Sequence, residues 1–215
     1  NISSKGNQIN GKKTGIWLYY NEDGSKISES KYINDESISH KAFYKNEKTR
    51  SITDYPIQKN EVYTNSKTTY YDIDGEKIGE FIVNEDERNG TEINFYDNDK
   101  INLIFKYVDD EQVEYKRFYE SGSLKENTYF EDGLEIKKTF YENGNINTFY
   151  TPTKDNLYRS YFESGEIKLE SYDHENGHKT TKRFNKKGEI VFQETKDENF
   201  ENHGLNILTY GENPE

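Results

Sequence analysis

The feature that most constrains this chain is a short phrase that recurs along it. An aromatic pair is followed by a polar turn ending in Gly and then by a second short apolar run. The clearest copies are Phe118-Tyr119-Glu120-Ser121-Gly122-Ser123-Leu124-Lys125, Phe140-Tyr141-Glu142-Asn143-Gly144-Asn145-Ile146-Asn147 and Tyr161-Phe162-Glu163-Ser164-Gly165-Glu166-Ile167-Lys168. Their glycines, at 122, 144 and 165, set a period of 22 and then 21 residues. A fixed period in this range marks a repeat architecture, in which one unit buries its apolar side chains against the next. A stack of similar units presents an extended surface, which suits binding better than catalysis.

Composition fits a thin structure. Of 215 residues, 30% are hydrophobic and 33% charged. That balance alone is a signature of disorder, but 19 Tyr, 12 Phe and regularly spaced turns oppose it. An elongated fold, with much surface per residue and no large central core, accommodates both facts. The formal net charge of −12 disfavours nucleic acid and anionic lipid, which are polyanions. It favours a basic protein partner, or simply a solvated acidic surface. No run approaches the roughly 18 apolar residues of a membrane span, so no membrane insertion is expected. The absence of Cys excludes disulfides, thiolate metal sites and a Cys nucleophile. A natural reading frame opens with Met and this one opens with Asn1, so a removed leading segment is expected. That leans towards an exported or envelope-associated protein, with a cytoplasmic one as the alternative.

Alignment on the second aromatic of each pair gives Tyr20, Tyr44, Tyr71, Tyr96, Tyr119, Tyr141, Phe162 and Phe184, at intervals of 24, 27, 25, 23, 22, 21 and 22 residues. The repeat array is expected over residues 10–195, with an N-terminal tail at 1–9 and a C-terminal segment at 196–215. The unit around Ala42–Glu47 lacks the Gly, and the stretch from Ser51 to Ser66, which holds Pro56, reads as a longer connection. Pro152 marks another break. Within a unit the pattern reads strand, tight turn, strand, as in Lys116–Tyr119, Glu120–Ser123 and Leu124–Phe130. A short Gly-bearing link between β-rich runs is a hairpin signal. A second turn, such as Glu131-Asp132-Gly133 or Glu175-Asn176-Gly177, leads into the following unit. No 3.6-residue apolar stripe is long enough for a helix. The fold class expected is all-β: an elongated antiparallel meander of about eight β-hairpin repeats in a single curved and twisted sheet.

Adjacent strand residues point to opposite faces, so the two aromatics of each pair fall into two rows. The first row is Tyr19, Phe43, Tyr70, Phe95, Phe118, Phe140 and Tyr161; the second is Tyr20, Tyr44, Tyr71, Tyr96, Tyr119, Tyr141 and Phe162. Phe tolerates full burial, whereas a Tyr hydroxyl wants a partner or water. The first row is therefore expected inside, and the second is expected as a more exposed Tyr ladder and partner-binding face. The competing reading is that both rows only pack against their own neighbours.

These residues resemble MORN repeats, and more closely the bacterial MORN-variant repeat. Tyr161-Phe162-Glu163-Ser164-Gly165-Glu166-Ile167-Lys168-Leu169-Glu170-Ser171-Tyr172 carries nearly all of that family's phrase, and Asn10-Gly11-Lys12-Lys13-Thr14-Gly15-Ile16-Trp17-Leu18-Tyr19-Tyr20 looks like its linker and first strand. The resemblance implies a ladder of hairpins used for protein contacts, and antitoxin-like membership among bacterial relatives. Eukaryotic MORN proteins are linked to membranes and junctions, which the acidic balance here makes unattractive.

Three motifs suggest chemistry, and each reads better as a turn. His174-Glu175-Asn176-Gly177-His178 matches H-E-x-x-H, but a zinc site of that kind needs a helix to align both imidazoles. Asn176-Gly177 belongs to an inter-unit turn, and no third ligand is evident. Gly6 to Lys13 approaches a phosphate-binding loop, but the next segment, Ile16 to Tyr20, reads as a strand rather than a helix. Asp72-Ile73-Asp74-Gly75-Glu76 resembles the start of a calcium loop, but Val83 stands where the bidentate Glu would be. No catalytic residue, metal or cofactor is assigned. The function expected is a non-enzymatic protein-binding module, immunity- or antitoxin-like towards a basic toxin. An exported envelope scaffold is the alternative, and a hydrolase with an unrecognised carboxylate pair is the remote one.

Overall fold

The computed structural model describes residues 3–55, 65–199, 201–203 and 207–208. The chain falls into two compact units, Asn1–Val113 and Glu114–Glu215. The strands of the first are β1 (Ser4–Ile9), β2 (Lys12–Tyr20), β3 (Lys26–Ile33), β4 (Glu36–Phe43), β5 (Thr49–Asp54), β6 (Ser66–Tyr71), β7 (Lys77–Asn84), β8 (Glu87–Phe95) and β9 (Ile101–Val108). The boundary falls in β10 (Glu111–Phe118). The second unit continues with β11 (Leu124–Glu131), β12 (Leu134–Phe140), β13 (Ile146–Thr151), β14 (Leu157–Tyr161), β15 (Ile167–Asp173), β16 (Lys179–Phe184), β17 (Ile190–Lys196) and β18 (Ile207–Leu208).

In each unit consecutive strands pair antiparallel, and no helix occurs among the described residues. The fold class is thus the all-β hairpin meander that the period implies. Residues 4–9 form a strand paired to β2. Of the stretch read as a longer connection, Ser51–Asp54 lies in β5 and Ser66 opens β6; residues 56–64 lie outside the described residues.

Two kinds of turn recur along the meander. The first is a five-residue turn that opens at Asn21, Tyr44, Asp72, Tyr96, Tyr119, Tyr141, Phe162 and Asn185. In each, the first N–H donates to the fifth carbonyl and the fourth N–H donates to the first carbonyl, at 2.8–3.0 Å. The fourth residue has φ between +62° and +105°. It is Gly24, Gly75, Gly122, Gly144, Gly165 or Gly188 in most copies, because glycine carries no Cβ to clash there. Glu47 and Asp99 adopt the same conformation in the copies without Gly, so the unit around Ala42–Glu47 keeps its turn. The pairing register slips at the last strand residue before each turn, for example between Arg117 and Phe118, and between Thr139 and Phe140. This is the three-residue hairpin loop with a bulge at the left-handed position.

The second kind is a two-residue turn with both residues at positive φ: Asn10-Gly11, Asn34-Asp35, Glu85-Asp86, Asp109-Asp110 and Asp132-Gly133. Such turns match the twist of the flanking strands, and Asn, Asp and Gly tolerate them best.

Burial is shallow. The buried apolar side chains are Ala42, Tyr44, Tyr70, Ile93, Tyr107, Ile136 and Phe162, and they share the interior with Ser28, Ser30, Thr151, Ser171 and Thr180. The hydroxyls pair across strands, as in Thr139 with Thr148 at 2.6 Å and Thr180 with Thr195 at 2.8 Å. Long side chains lie over the rings: the Arg88 guanidinium is 4.4 Å from the Tyr107 ring centre and that of Arg50 is 5.1 Å from Phe95.

Gly90 is fixed by close approach to backbone rather than by a turn. Gly90, within β8, has φ +93°, and a Cβ there would lie 2.1 Å from the Glu80 carbonyl oxygen. Gly75 has a similar φ but open space around it. Gly75→Ala should therefore cost about 1–2 kcal/mol, the left-handed penalty alone. Gly90→Ala should cost at least roughly twice that, because backbone must also move. Urea denaturation of the two variants checks the ranking, and equal losses would contradict it.

Candidate functional site

The surface is built from side chains that the turns position. The residue opening a five-residue turn is the first beyond the strand, and at Tyr44, Tyr119 and Tyr141 its hydroxyl reaches the next hairpin. Tyr119 donates to the Phe140 carbonyl at 2.8 Å, Tyr141 to the Tyr161 carbonyl at 2.8 Å and Tyr44 to the Tyr71 carbonyl at 2.7 Å. In all three the acceptor is the strand-ending residue of the following hairpin. Asn143 and Asn145 add side-chain bonds to the Glu163 carbonyl at 3.1 and 2.8 Å. Burial pushes the Tyr44 hydroxyl up to about 12.

These bonds correct the alignment of the aromatic rows. Tyr20, Tyr71 and Phe184 end their strands, and Asn21, Asp72 and Asn185 open the turns. Tyr20 and Tyr71 are therefore equivalent to Phe118 and Phe140, one place earlier than Tyr119 and Tyr141. Counting back three residues from each turn glycine to the residue that opens the turn recovers this register, because the glycine position is fixed by backbone geometry while the aromatic pair tolerates a slip of one.

The expectation that the second row is the more exposed one is also corrected. Tyr44 is 3% exposed and Phe162 7%, while Tyr71, Tyr96, Tyr119, Tyr141 and Tyr20 are half-buried. In the first row Tyr70 is buried and Tyr19, Phe43, Phe95, Phe118, Phe140 and Tyr161 are half-buried. The physical reason is that three of the hydroxyls find backbone carbonyls of the neighbouring hairpin instead of water.

The edge formed by the two-residue turns is acidic. In the first unit it displays Asp35 and Glu36, then Glu85, Asp86 and Glu87, then Asp109, Asp110 and Glu111, all exposed. Asp110 is held by Arg88 at 2.6 Å, and each partner favours the other's charged form. The Asp35 carboxylate accepts the Lys13 backbone N–H. Lys13 is otherwise enclosed by rings, with its ammonium 4.6 Å from Trp17, 5.6 Å from Tyr19 and 5.1 Å from Tyr32.

The motif-bearing segments all lie in hairpins. Asp72 Oδ1 accepts the N–H groups of Asp74 and Glu76, so this carboxylate closes its own turn. Gly6 to Lys13 spans β1, the Asn10-Gly11 turn and the start of β2. His174 to His178 is a five-residue turn, with His174 N–H donating to the His178 carbonyl at 2.7 Å and Gly177 at φ +80°. The turn does, however, bring His178 against His203, with ring centres 4.6 Å apart. That contact, between residues far apart in the chain, has no signal in the local sequence.

Residues 13–34 and 111–132 match the family model of the MORN repeat variant. Two hairpins of this chain match that repeat. Each match covers a strand, the five-residue turn and the returning strand: β2 to β3 in one case, β10 to β11 in the other. The hairpins between them close with the same turn geometry. A comparison with curated proteins finds no match.

Removing one rung should be measurable. Tyr141→Phe keeps the ring but strands the Tyr161 carbonyl, a loss of about 1 kcal/mol. Tyr141→Ala should cost about 3 kcal/mol or more by adding a cavity. Denaturant titration checks both, and an unchanged Phe variant would show that water replaces the hydroxyl.

His40 gives a pH signature. Its ring bonds Ser30 Oγ at 2.8 Å, and burial, aided by Arg50, holds its pKa below the ordinary value. A depressed folded pKa means stability is fully present above the unfolded value of about 6.5 and is lost as pH falls through the folded value. His40→Gln should flatten that part of the stability–pH curve, measured by urea midpoints from about pH 7.5 to about pH 5; parallel curves for the two proteins would contradict it.

Proposed function

We propose that this chain is a non-catalytic protein-binding repeat module, of the immunity or antitoxin type, whose partner is a basic protein. The observation that carries the reading is the acidic turn edge: three successive two-residue turns among the described residues of the first unit expose eight carboxylates. A row of like charges steers an oppositely charged partner and raises its association rate. Hairpin repeats with MORN character support a role in holding a partner rather than transforming a substrate. A basic nuclease-like toxin suits the charge, because it must itself be cationic to engage nucleic acid.

Further partner contacts are proposed for the half-buried aromatics at the five-residue turns: Tyr20, Tyr71 and Tyr96 in the first unit, at the strand ends opposite the acidic turns, and Tyr119 and Tyr141 in the second unit. Their rings keep part of their surface open next to the turns. Tyr44 and Phe162 contribute through packing, each within its own unit. Aromatic anchors of this kind commonly dominate binding energy.

The test uses the protein encoded beside this one in its genome. A complex should form, and the triple variant Glu85→Lys, Asp86→Lys, Asp109→Lys should slow association at least about tenfold at low salt with little change in the dissociation rate. Surface plasmon resonance at two ionic strengths reads both rates. No complex with that neighbour overturns the immunity reading, and a complex indifferent to the reversal and to salt overturns the acidic edge as its basis.

A further inference from the structure

We infer that the end of β17 carries a divalent transition-metal site of the zinc class, with Asp197, Glu201 and His203 as ligands. The ligand atoms of these three side chains all lie within 4.8 Å of one another. Oxygen and nitrogen donors about 2.0–2.1 Å from a tetrahedral ion sit about 3.3 Å apart, so side-chain rotation alone closes the set.

Two of the ligands, Asp197 and His203, are held before any ion arrives. Asp197 Oδ1 accepts the N–H groups of Asn199 and Glu201, each at 2.9 Å, which leaves Oδ2 to point at the His203 Nε2, 3.0 Å away. The His203 backbone N–H donates to the Thr195 carbonyl at 2.7 Å, and Lys196 bridges to Asn202. The returning segment is therefore tied to β17 beside the ligands.

The His178 ring stacks on His203 at 4.6 Å with 29° between planes and fixes the orientation of that imidazole. His178 is a positioning residue here. His174 belongs elsewhere, since its Nε2 bonds Thr180 Oγ1 at 2.7 Å. Both rings and His203 border an open depression of about 420 Å³, so water has access to the His203 side of the site. An imidazole with two carboxylates suits zinc better than calcium or magnesium, which take six or more oxygens. The H-E-x-x-H spelling thus points to the right place for a reason that has nothing to do with a helix: the turn delivers its second His to a third.

Isothermal titration of the untagged chain with zinc chloride tests the site. One ion per chain is expected, and magnesium chloride should not compete. Asp197→Asn keeps the Oδ1 acceptor and so the loop, yet should weaken zinc binding at least about tenfold; His203→Ala should do the same. His178→Ala should weaken it several-fold, while His174→Ala and His40→Ala leave it unchanged. Far-UV circular dichroism confirms that each variant is folded. Absence of saturable zinc binding, its survival in both Asp197→Asn and His203→Ala, or its loss in His174→Ala would overturn the assignment.

Discussion

Each five-residue turn is closed by a reciprocal pair of backbone hydrogen bonds, and the rest of the structure depends on that pair. It requires a left-handed residue at the fourth place, it goes with a register slip on the residue before at eight of these turns though not at His174–His178, and it fixes which side chain leaves the strand towards the next hairpin. Tyr119 and Tyr141 can reach the Phe140 and Tyr161 carbonyls only because the turn presents them at one repeated distance. The aromatic content follows from this. A sheet with few large aliphatic side chains gains cohesion from rings that pack and hydrogen-bond at once.

Much of this was legible from spacing. The glycines at 24, 75, 122, 144, 165 and 188 mark turns because their conformation is expensive for any other residue. The hairpin order follows from short links, which can only join antiparallel neighbours. Exposure of the rows was not legible. A Tyr hydroxyl is satisfied equally by water or by a carbonyl, and the sequence does not distinguish a wet ladder from a dry rung. Tyr20 and Tyr71 were displaced by one place because each follows another Tyr, so a frame set on aromatics has two equivalent choices there. Glu47 and Asp99 stand at the left-handed place without advertising it, since the turn survives there on a residue that merely tolerates the strain.

Candidate chemistry divides along the same line. The Asp72 segment resembles an ion-binding loop locally, and the structure consumes its first carboxylate in the turn itself. The histidine turn is the opposite case. Its local spelling suggests a helix it does not form, while the relevant neighbour, His203, lies beyond two further strands. Short motifs in a repeat protein therefore inform less about their own segment than about which edge of the sheet they occupy.

Among the described residues of each unit, strands pair with the strands beside them in sequence. Such a lattice is one-dimensional, so its stability is a sum of hairpin terms and junction terms rather than a property of one core. Terminal hairpins have one neighbour instead of two and open first, and amide exchange should slow progressively inward from them. A protein built this way can gain or lose a hairpin without redesign of the remainder. Evolution can thus lengthen or shorten its contact surface in steps of about 22 residues, the spacing between Gly122 and Gly144.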